Sequence, residues 1–214
     1  MVYNSPEGTV DLLPGAARHW RHAQDVAARL FSAYGYDFME TPIFEQTEVF
    51  TRGIGEATDV VNKEMFVVRS GENYRRSLEA GTDAGLKGKS RLSLRPEGTA
   101  GVVRAVVQHN LVEQGATPAK LYYAGPMFRA ERPQKGRLRE FHQIGAECLG
   151  STEPTADAEM IIMLVRFYEK MGIPASDMTL YVNSMGDERC RPAYRAMVRD
   201  HILSHADEMC EECR

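Results

Sequence analysis

The feature that most restricts how this chain can fold is the stretch from Lys120 to Leu149. Two runs, Lys120–Arg129 and Glu140–Leu149, read as β-strands around a charged loop. Side chains alternate faces along a strand with a period of two. On the second run, His142, Ile144, Ala146 and Cys148 share a mostly apolar face that belongs against helices. Phe141, Gln143, Gly145 and Glu147 share the other. On the first run, Gly125, Met127 and Arg129 share a face, and Glu131 beyond them keeps the same parity. If the two strands pair, Arg129 and Glu131 join Phe141, Gln143 and Glu147 over one concave surface.

Those residue types suit an anionic, ring-bearing ligand. An arginine fork matches phosphate or carboxylate oxygens with two parallel hydrogen bonds. A phenylalanine face carries a base, worth about 1–3 kcal/mol. Glutamine and glutamate accept from an ammonium or a ring N–H. Residues 120–140 hold six basic side chains against two acidic ones, in a chain of net charge −4. A local cationic segment on an acidic protein points to a defined anion rather than a generally basic surface. A ligand-free salt-bridge network, or a solvated loop, would use the same residues. A second element, Leu94-Arg95-Pro96-Glu97-Gly98-Thr99-Ala100-Gly101, ends a strand and opens a helix. Glu97 and Thr99 project at the helix N-terminus, where a carboxylate is favoured. Gly98 lets backbone approach a ligand. Ordinary capping accounts for this element equally well.

The remaining pattern predicts an α+β fold. Residues 16–34 carry Trp20, Ala23, Ala27, Leu30, Phe31 and Tyr34 at helical spacing, with Gly35 placed to stop the helix. Tyr36–Glu40 reads as a short strand, and Pro42 marks an edge or a strand end. Met65–Arg69 and Arg91–Arg95 read as a hairpin around a long, mobile loop at 70–90. A helix over 98–112 turns Val103, Val106, Val107 and Asn110 or Leu111 inward. Another over 155–171 turns Ile161, Leu164, Val165 and Tyr168 inward, with Gly172 closing it. Leu180–Asn183 reads as a strand and 187–203 as a helix. The order favours an antiparallel sheet flanked by helices over a doubly wound sheet. No glycine-rich phosphate loop follows a strand, so a nucleotide would have to be held by side chains.

The chain has 214 residues, 43% hydrophobic and 26% charged, enough for a packed core. No window approaches eighteen consecutive apolar residues and no secretory leader is visible, which points to the cytoplasm. Cys210 and Cys213 have the spacing of half a zinc site, but no second pair of matching spacing completes it; His201 and His205 sit one turn apart upstream. No protein metal site is expected.

Together these residues resemble class II aminoacyl-tRNA synthetases, and within them the histidyl-tRNA synthetase family, over nearly the whole chain. Gly35 to Phe44, through Pro42, resembles the first motif of that class, at its dimer interface. Arg52–Val61 and Lys63-Glu64-Met65 resemble the loop that follows. Leu92–Gly101 resembles the first histidine-binding segment. Tyr123–Gly150 resembles the second motif, with Glu131-Arg132-Pro133-Gln134-Lys135-Gly136-Arg137 and Phe141-His142-Gln143 in the histidyl form.

The resemblance implies a class II synthetase-like catalytic core that activates histidine with ATP and Mg2+ and transfers it to tRNA as a cytoplasmic homodimer. By position, Arg129 would be catalytic, gripping the α-phosphate and the carboxylate side of histidine. Glu131 would contact the adenine or its phosphate neighbourhood, Arg137 the outer phosphates, and Phe141 would stack on the base. Glu97, Thr99 and Gln143 would hold the α-ammonium, Glu147 would face the imidazole, and Gly98 would also belong to the histidine site. The second histidine segment, third motif and anticodon-binding domain of the family have no counterpart in residues 150–214. Residues 1–214 are therefore expected to be an N-terminal portion of a catalytic domain, weakly active or inactive alone. The alternatives are a synthetase-like regulatory subunit of ATP phosphoribosyltransferase and a class II synthetase for another amino acid, such as threonine or proline.

Overall fold

The computed structural model describes residues 3–55, 58–69, 71, 74–75, 91–112, 118–183 and 186–210. In chain order the elements of the first unit (residues 1–175) are α1 (Pro14–Ala33), β1 (Asp37–Phe38), β2 (Phe44–Gln46), α2 (Thr47–Ile54), α3 (Asp59–Lys63), β3 (Val67–Val68), β4 (Leu92–Leu94), α4 (Thr99–Gln108), β5 (Ala119–Phe128), β6 (Glu140–Leu149) and α5 (Pro154–Lys170). The second unit, 176–214, contains α6 (Cys190–Ser204), followed by a short 3-10 turn at Ala206–Glu208.

Helix α1 forms where the apolar spacing places it. Pro14 suits the first turn, where its missing N–H costs nothing. Val26, Ala27, Leu30 and Phe31 are buried, and Gly35 at φ +81 turns the chain out of the helix. That turn delivers β1, which lies parallel to β5 with Asp37 opposite Leu121. β5 and β6 pair antiparallel over ten residues, giving the sheet order β1-β5-β6. A second sheet, β2-β4-β3, is antiparallel throughout.

The strand parity holds. Gly125 faces Gln143, Met127 faces Phe141, Tyr123 faces Gly145 and Leu121 faces Glu147, so odd-numbered side chains share one face. The even face is sealed by α1 and α5: Tyr122, Ile144, Ala146 and Cys148 pack with Ala27, Leu30, Phe31, Tyr36 and Met163. Part of the odd face is covered too, by α4. Val102 and Val106 pack on Leu121, Tyr123 and Met127, with Phe141 and Leu149 beside them.

Several expectations are corrected. The sheet is not wholly antiparallel, because β1 joins it in parallel. β4 is the middle strand of its sheet, paired with β2 as well as β3, rather than one arm of a simple hairpin. Most of the segment expected as a loop at 70–90 lies outside the described residues. On α4, Val106 is buried as expected, but Val103 and Val107 are exposed. Small residues choose the face: a Cβ on Gly53 would lie 2.8 Å from Ala100 Cβ, and one on Gly101 3.2 Å from Thr41 Oγ1. On α5 the inward residue is Met163, while Leu164 and Tyr168 face out. Leu180–Val182 forms no strand and all three side chains are exposed. β propensity reports fit to a half-buried sheet surface and does not by itself create one.

Candidate functional site

The open part of the odd face begins where α4 stops covering it. At its near end, Tyr123 lies in a slot made by two glycines. A Cβ on Gly98 or on Gly145 would collide with the Tyr123 ring. The ring is thereby fixed, and its hydroxyl reaches the side chains of Thr99 and Glu147. Burial pushes the Tyr123 pKa up to about 12, so it remains a neutral donor. Thr99 Oγ1 donates to Glu147 Oε1 at 2.7 Å. Burial raises the Glu147 pKa above the ordinary carboxylate value, the nearby Glu97 charge adds to this, and the bonds from Thr99 and Tyr123 oppose it.

Glu97 precedes α4, and its carboxylate caps the helix. The N–H groups of Thr99 and Ala100 donate to it at 2.6 and 2.8 Å. Two helix N-terminal donors are satisfied this way. Each carboxylate oxygen still has a second lone pair for a ligand.

Further along the same face is Gln143. Its Oε1 is buried and has no hydrogen-bond partner among the described residues. A buried, unmatched acceptor costs about 1–3 kcal/mol, so it marks a place for a donor.

At the far end lie Arg129, Glu131, Arg137 and Phe141, which with Gly136 and Leu138 line a cavity of about 420 Å3. The Arg129 guanidinium sits 5.1 Å from the Phe141 ring centroid, and its Nε donates to the Pro96 carbonyl at 3.0 Å. Its Nη1 lies 3.8 Å from Glu131 Oε1. Arg137 Nη1 approaches Glu131 Oε2 at 3.4 Å and is largely exposed. Gln134 and Arg137 close a tight hairpin around Gly136, whose φ of +82 a side chain would strain. From Glu147 to Phe141 is six residue steps, about 20 Å along a strand, room for a small amphoteric molecule beside a nucleoside.

Arg129, Glu131, Arg137, Phe141, Gln143 and Glu147 lie along this face or the hairpin at its far end, and Glu97, Gly98 and Thr99 at the α4 entrance to it. Sequence reasoning missed Tyr123 and Arg95. Tyr123 carries the same odd parity, which was the one signal for it in the sequence; the glycines at 98 and 145 that make room for its ring acquire that meaning only in the fold. Arg95 is 6% exposed and acts as a tie. Its Nε donates to the Pro126 carbonyl at 2.9 Å and its Nη1 to the Thr41 carbonyl at 2.8 Å, and it lies across Gly125. Burial lowers its pKa from the usual arginine value. It locks the Glu97–Thr99 entrance to the end of β5.

A larger cavity, about 840 Å3, runs between α2 and α4 and is lined largely by apolar groups such as Val49, Ile54, Val103 and Val107. It adjoins Glu97 and Thr99 but lacks the arginine–phenylalanine pair. Among the described residues no group of three or more His, Cys, Asp or Glu comes together to hold a metal. Cys213 lies outside them.

The β5–β6 pair, with Arg129 beside the Phe141 ring and the tight turn from Gln134 to Arg137, belongs to a fold of the class II aminoacyl-tRNA synthetase type. The family model "Histidyl-tRNA synthetase" matches residues 8–186, and the chain belongs to that family. It is 44% identical over 214 residues to the histidine–tRNA ligase of Bacillus licheniformis, covering 100% of this chain and 46% of that protein. It is 43% identical over 208 residues to that of Geobacter sulfurreducens, covering 97% of this chain and 46% of that protein. Among solved structures, apo S. aureus histidyl-tRNA synthetase superposes with a TM-score of 0.68 at 32% identity, covering 99% of this chain and 45% of that one. A Bacillus halodurans structure described as an ATP phosphoribosyltransferase regulatory subunit/histidyl-tRNA synthetase shares the fold, with a TM-score of 0.60 at 24% identity over 79% of this chain and 38% of that one. The chain thus spans under half the length of the curated relatives it matches.

Proposed function

We propose that this chain supplies the first part of a catalytic domain that joins histidine to ATP, giving histidyl-adenylate and pyrophosphate, and then passes histidine to its tRNA. The observation that carries the reading is the unpartnered Gln143 Oε1, set between the Glu147–Thr99 pair and the Arg129–Phe141 pair. An α-ammonium there satisfies Gln143, with the free lone pairs of Glu97 and the Thr99 hydroxyl beside it. Glu147, with its raised pKa, then faces the imidazole. A site that hydrogen-bonds both ends of its substrate rejects apolar isosteres, because its own polar groups would be left unpaired.

At the other end, adenine lies against Phe141, with Glu131 at its edge. Arg129 holds the α-phosphate beside the incoming carboxylate, and Arg137 holds the outer phosphates. The carboxylate oxygen attacks the α-phosphorus in line, and the bond to the bridging oxygen breaks as pyrophosphate leaves. The difficulty is bringing like charges together, so cationic positioning carries most of the acceleration. Magnesium would accompany the triphosphate. The cavity offers it one lining carboxylate, Glu131, already facing Arg129 and Arg137, a donor set that fits an ion held mainly by phosphate oxygens. Such an ion supplies charge neutralisation.

Residues 132–136, the hairpin tip, would meet the tRNA acceptor end. A second copy would dock on the 35–44 region, where Phe38, Ile43 and Phe44 are exposed and β1 is an edge strand. No described helix is long and apolar enough to cross a membrane, and the site of action would be the cytoplasm. ATP–pyrophosphate exchange by the intact natural protein, tested amino acid by amino acid, decides the matter. Exchange with histidine alone is expected. Silence with all amino acids would favour the regulatory-subunit alternative, and exchange with threonine or proline would reassign the substrate.

A further inference from the structure

Arg139 has the parity of the site face, yet its guanidinium is spent on backbone. Its Nε donates to the Glu131 carbonyl at 3.1 Å and its Nη1 to the Glu7 carbonyl at 3.4 Å. Its own N–H donates to the Gly8 carbonyl at 2.7 Å, and the Glu140 N–H shares that acceptor at 3.3 Å. Its carbonyl accepts the Arg129 N–H at 2.9 Å. One residue therefore joins the N-terminal segment to both arms of the hairpin that carries Arg129, Glu131 and Arg137.

The N-terminal segment is shaped for this contact. Thr9 folds back on the Pro6 carbonyl through its N–H at 3.0 Å and its hydroxyl at 2.8 Å. Gly8 sits at φ +84. A Cβ on it would lie 2.8 Å from Arg139 Cγ and 3.0 Å from Pro133 Cγ. The position thus excludes side chains twice, by backbone conformation and by space. Twelve residues on, the Trp20 ring packs on His142 of β6 at 4.8 Å between centroids, so the segment from 8 to 20 is fastened at both ends of its run beside the hairpin.

We propose that the Pro6–Thr9 turn and Arg139 form a clasp that sets the position of the Arg129–Glu131 arm, making Arg139 and Gly8 positioning residues for nucleotide binding. This rests on the nucleotide reading of the cavity lined by Arg129 and Phe141. The clasp holds the backbone at Glu131 from outside the cavity, while Arg129 and Arg137 meet the Glu131 carboxylate inside it. Loosening the clasp lets the arm swing, which weakens the grip on phosphates and base but leaves the Glu97–Thr99–Glu147 end unaltered.

The test uses the intact natural protein and the variants Gly8→Val, Arg139→Ala and Arg139→Lys. Amide hydrogen exchange is read at Arg129, Arg139 and Glu140, alongside ATP binding by calorimetry and steady-state KM values. The clasp requires faster exchange at those amides, by about tenfold or more, with residues 141–149 unchanged. It also requires ATP affinity to fall by about tenfold, the scale of one lost charge-assisted hydrogen bond, and kcat to fall with it as Arg129 loses its position, with the KM for histidine within about twofold of wild type. Lysine at 139 does not rescue, because an ammonium lacks the fork that spans two carbonyls. Unchanged exchange overturns the clasp, as does fast exchange with normal ATP affinity. A uniform rise in exchange through 141–149 also overturns it, since the effect is then global. A wild-type protein that binds no ATP overturns the functional reading as well, whereas ATP binding untouched by all three variants overturns the clasp alone.

Discussion

The two faces of the β5–β6 pair obey different rules. On the even face the charged and phenolic groups of Lys120, Glu159 and Tyr36 are closed upon one another. Lys120 Nζ meets Glu159 Oε1 at 2.7 Å, the Tyr36 hydroxyl donates to the same carboxylate at 3.2 Å, and the lysine stacks over the Tyr36 ring. Burial drives the Tyr36 pKa far upward, which keeps it neutral. On the odd face, apolar packing against α4 gives way to groups that are held in place but not used up: Gln143 Oε1 without a donor, Arg129 over Phe141, Glu147 at a raised pKa. A folded protein tolerates such unmatched groups only where stability is supplied elsewhere. The even face supplies it, and the odd face spends it.

Substitutions on the two faces therefore separate activity from stability. The largest expected effect is Arg129→Ala. Adenylate formation falls by about a hundred- to a thousandfold, given the cost of one lost transition-state donor, while the melting temperature stays near wild type; wild-type exchange rates would remove Arg129 from its role. Its counterpart on the even face is Met163→Ala, which leaves a cavity and costs about 2–5 kcal/mol in denaturant unfolding, with activity per folded molecule unchanged. Phe141→Ala comes next. Loss of a base-stacking surface worth about 1–3 kcal/mol raises the KM for ATP by roughly five- to a hundredfold, and an unchanged KM would move the base off this ring.

Glu147→Gln tests the cost of the odd face directly. A carboxyl whose folded pKa is raised favours the folded state below its unfolded pKa, and that contribution is lost as pH rises through the folded value. Above that raised value, where it is ionised, Glu147 is thus a burden. The glutamine variant should melt a few degrees higher, by about 2–4 °C, and lose dependence of stability on pH from the ordinary carboxylate pKa up to the raised one, while the KM for histidine rises. A lower melting point would mean that Thr99 and Tyr123 more than offset burial. The smallest effect is expected at the hairpin tip: Gln134→Ala should slow transfer to tRNA by severalfold and leave adenylation alone, and equal losses in both steps would detach the tip from the tRNA.

How much of this was legible in sequence depends on what each inference required. Strand parity needed only the period of two, and it placed Arg129, Phe141, Gln143 and Glu147 on one face without coordinates. The α1 pattern was equally clear, because Gly35 and the apolar stripe agreed. Where two faces of a helix are both apolar, as on α4, periodicity is silent. The close approaches at Ala100 and Gly101 decide, and they depend on partners distant in sequence. The same holds for Leu180–Val182, whose β-prone residues lie outside any strand here. Glycines at 98 and 145 show no periodicity, and their meaning emerges only once the Tyr123 ring is seen between them. Arg95 and Arg139 were invisible for a related reason, since their partners are backbone carbonyls, which no sequence pattern marks.

The account turns on Gln143. The most direct measurement is a crystal structure of the intact natural protein with histidine and a non-hydrolysable ATP analogue. The expected result is an α-ammonium nitrogen within hydrogen-bond distance of Gln143 Oε1, the imidazole toward Glu147 and the adenine against Phe141. An amino acid seated instead in the apolar groove between α2 and α4, with Gln143 Oε1 still lacking a donor, would contradict it.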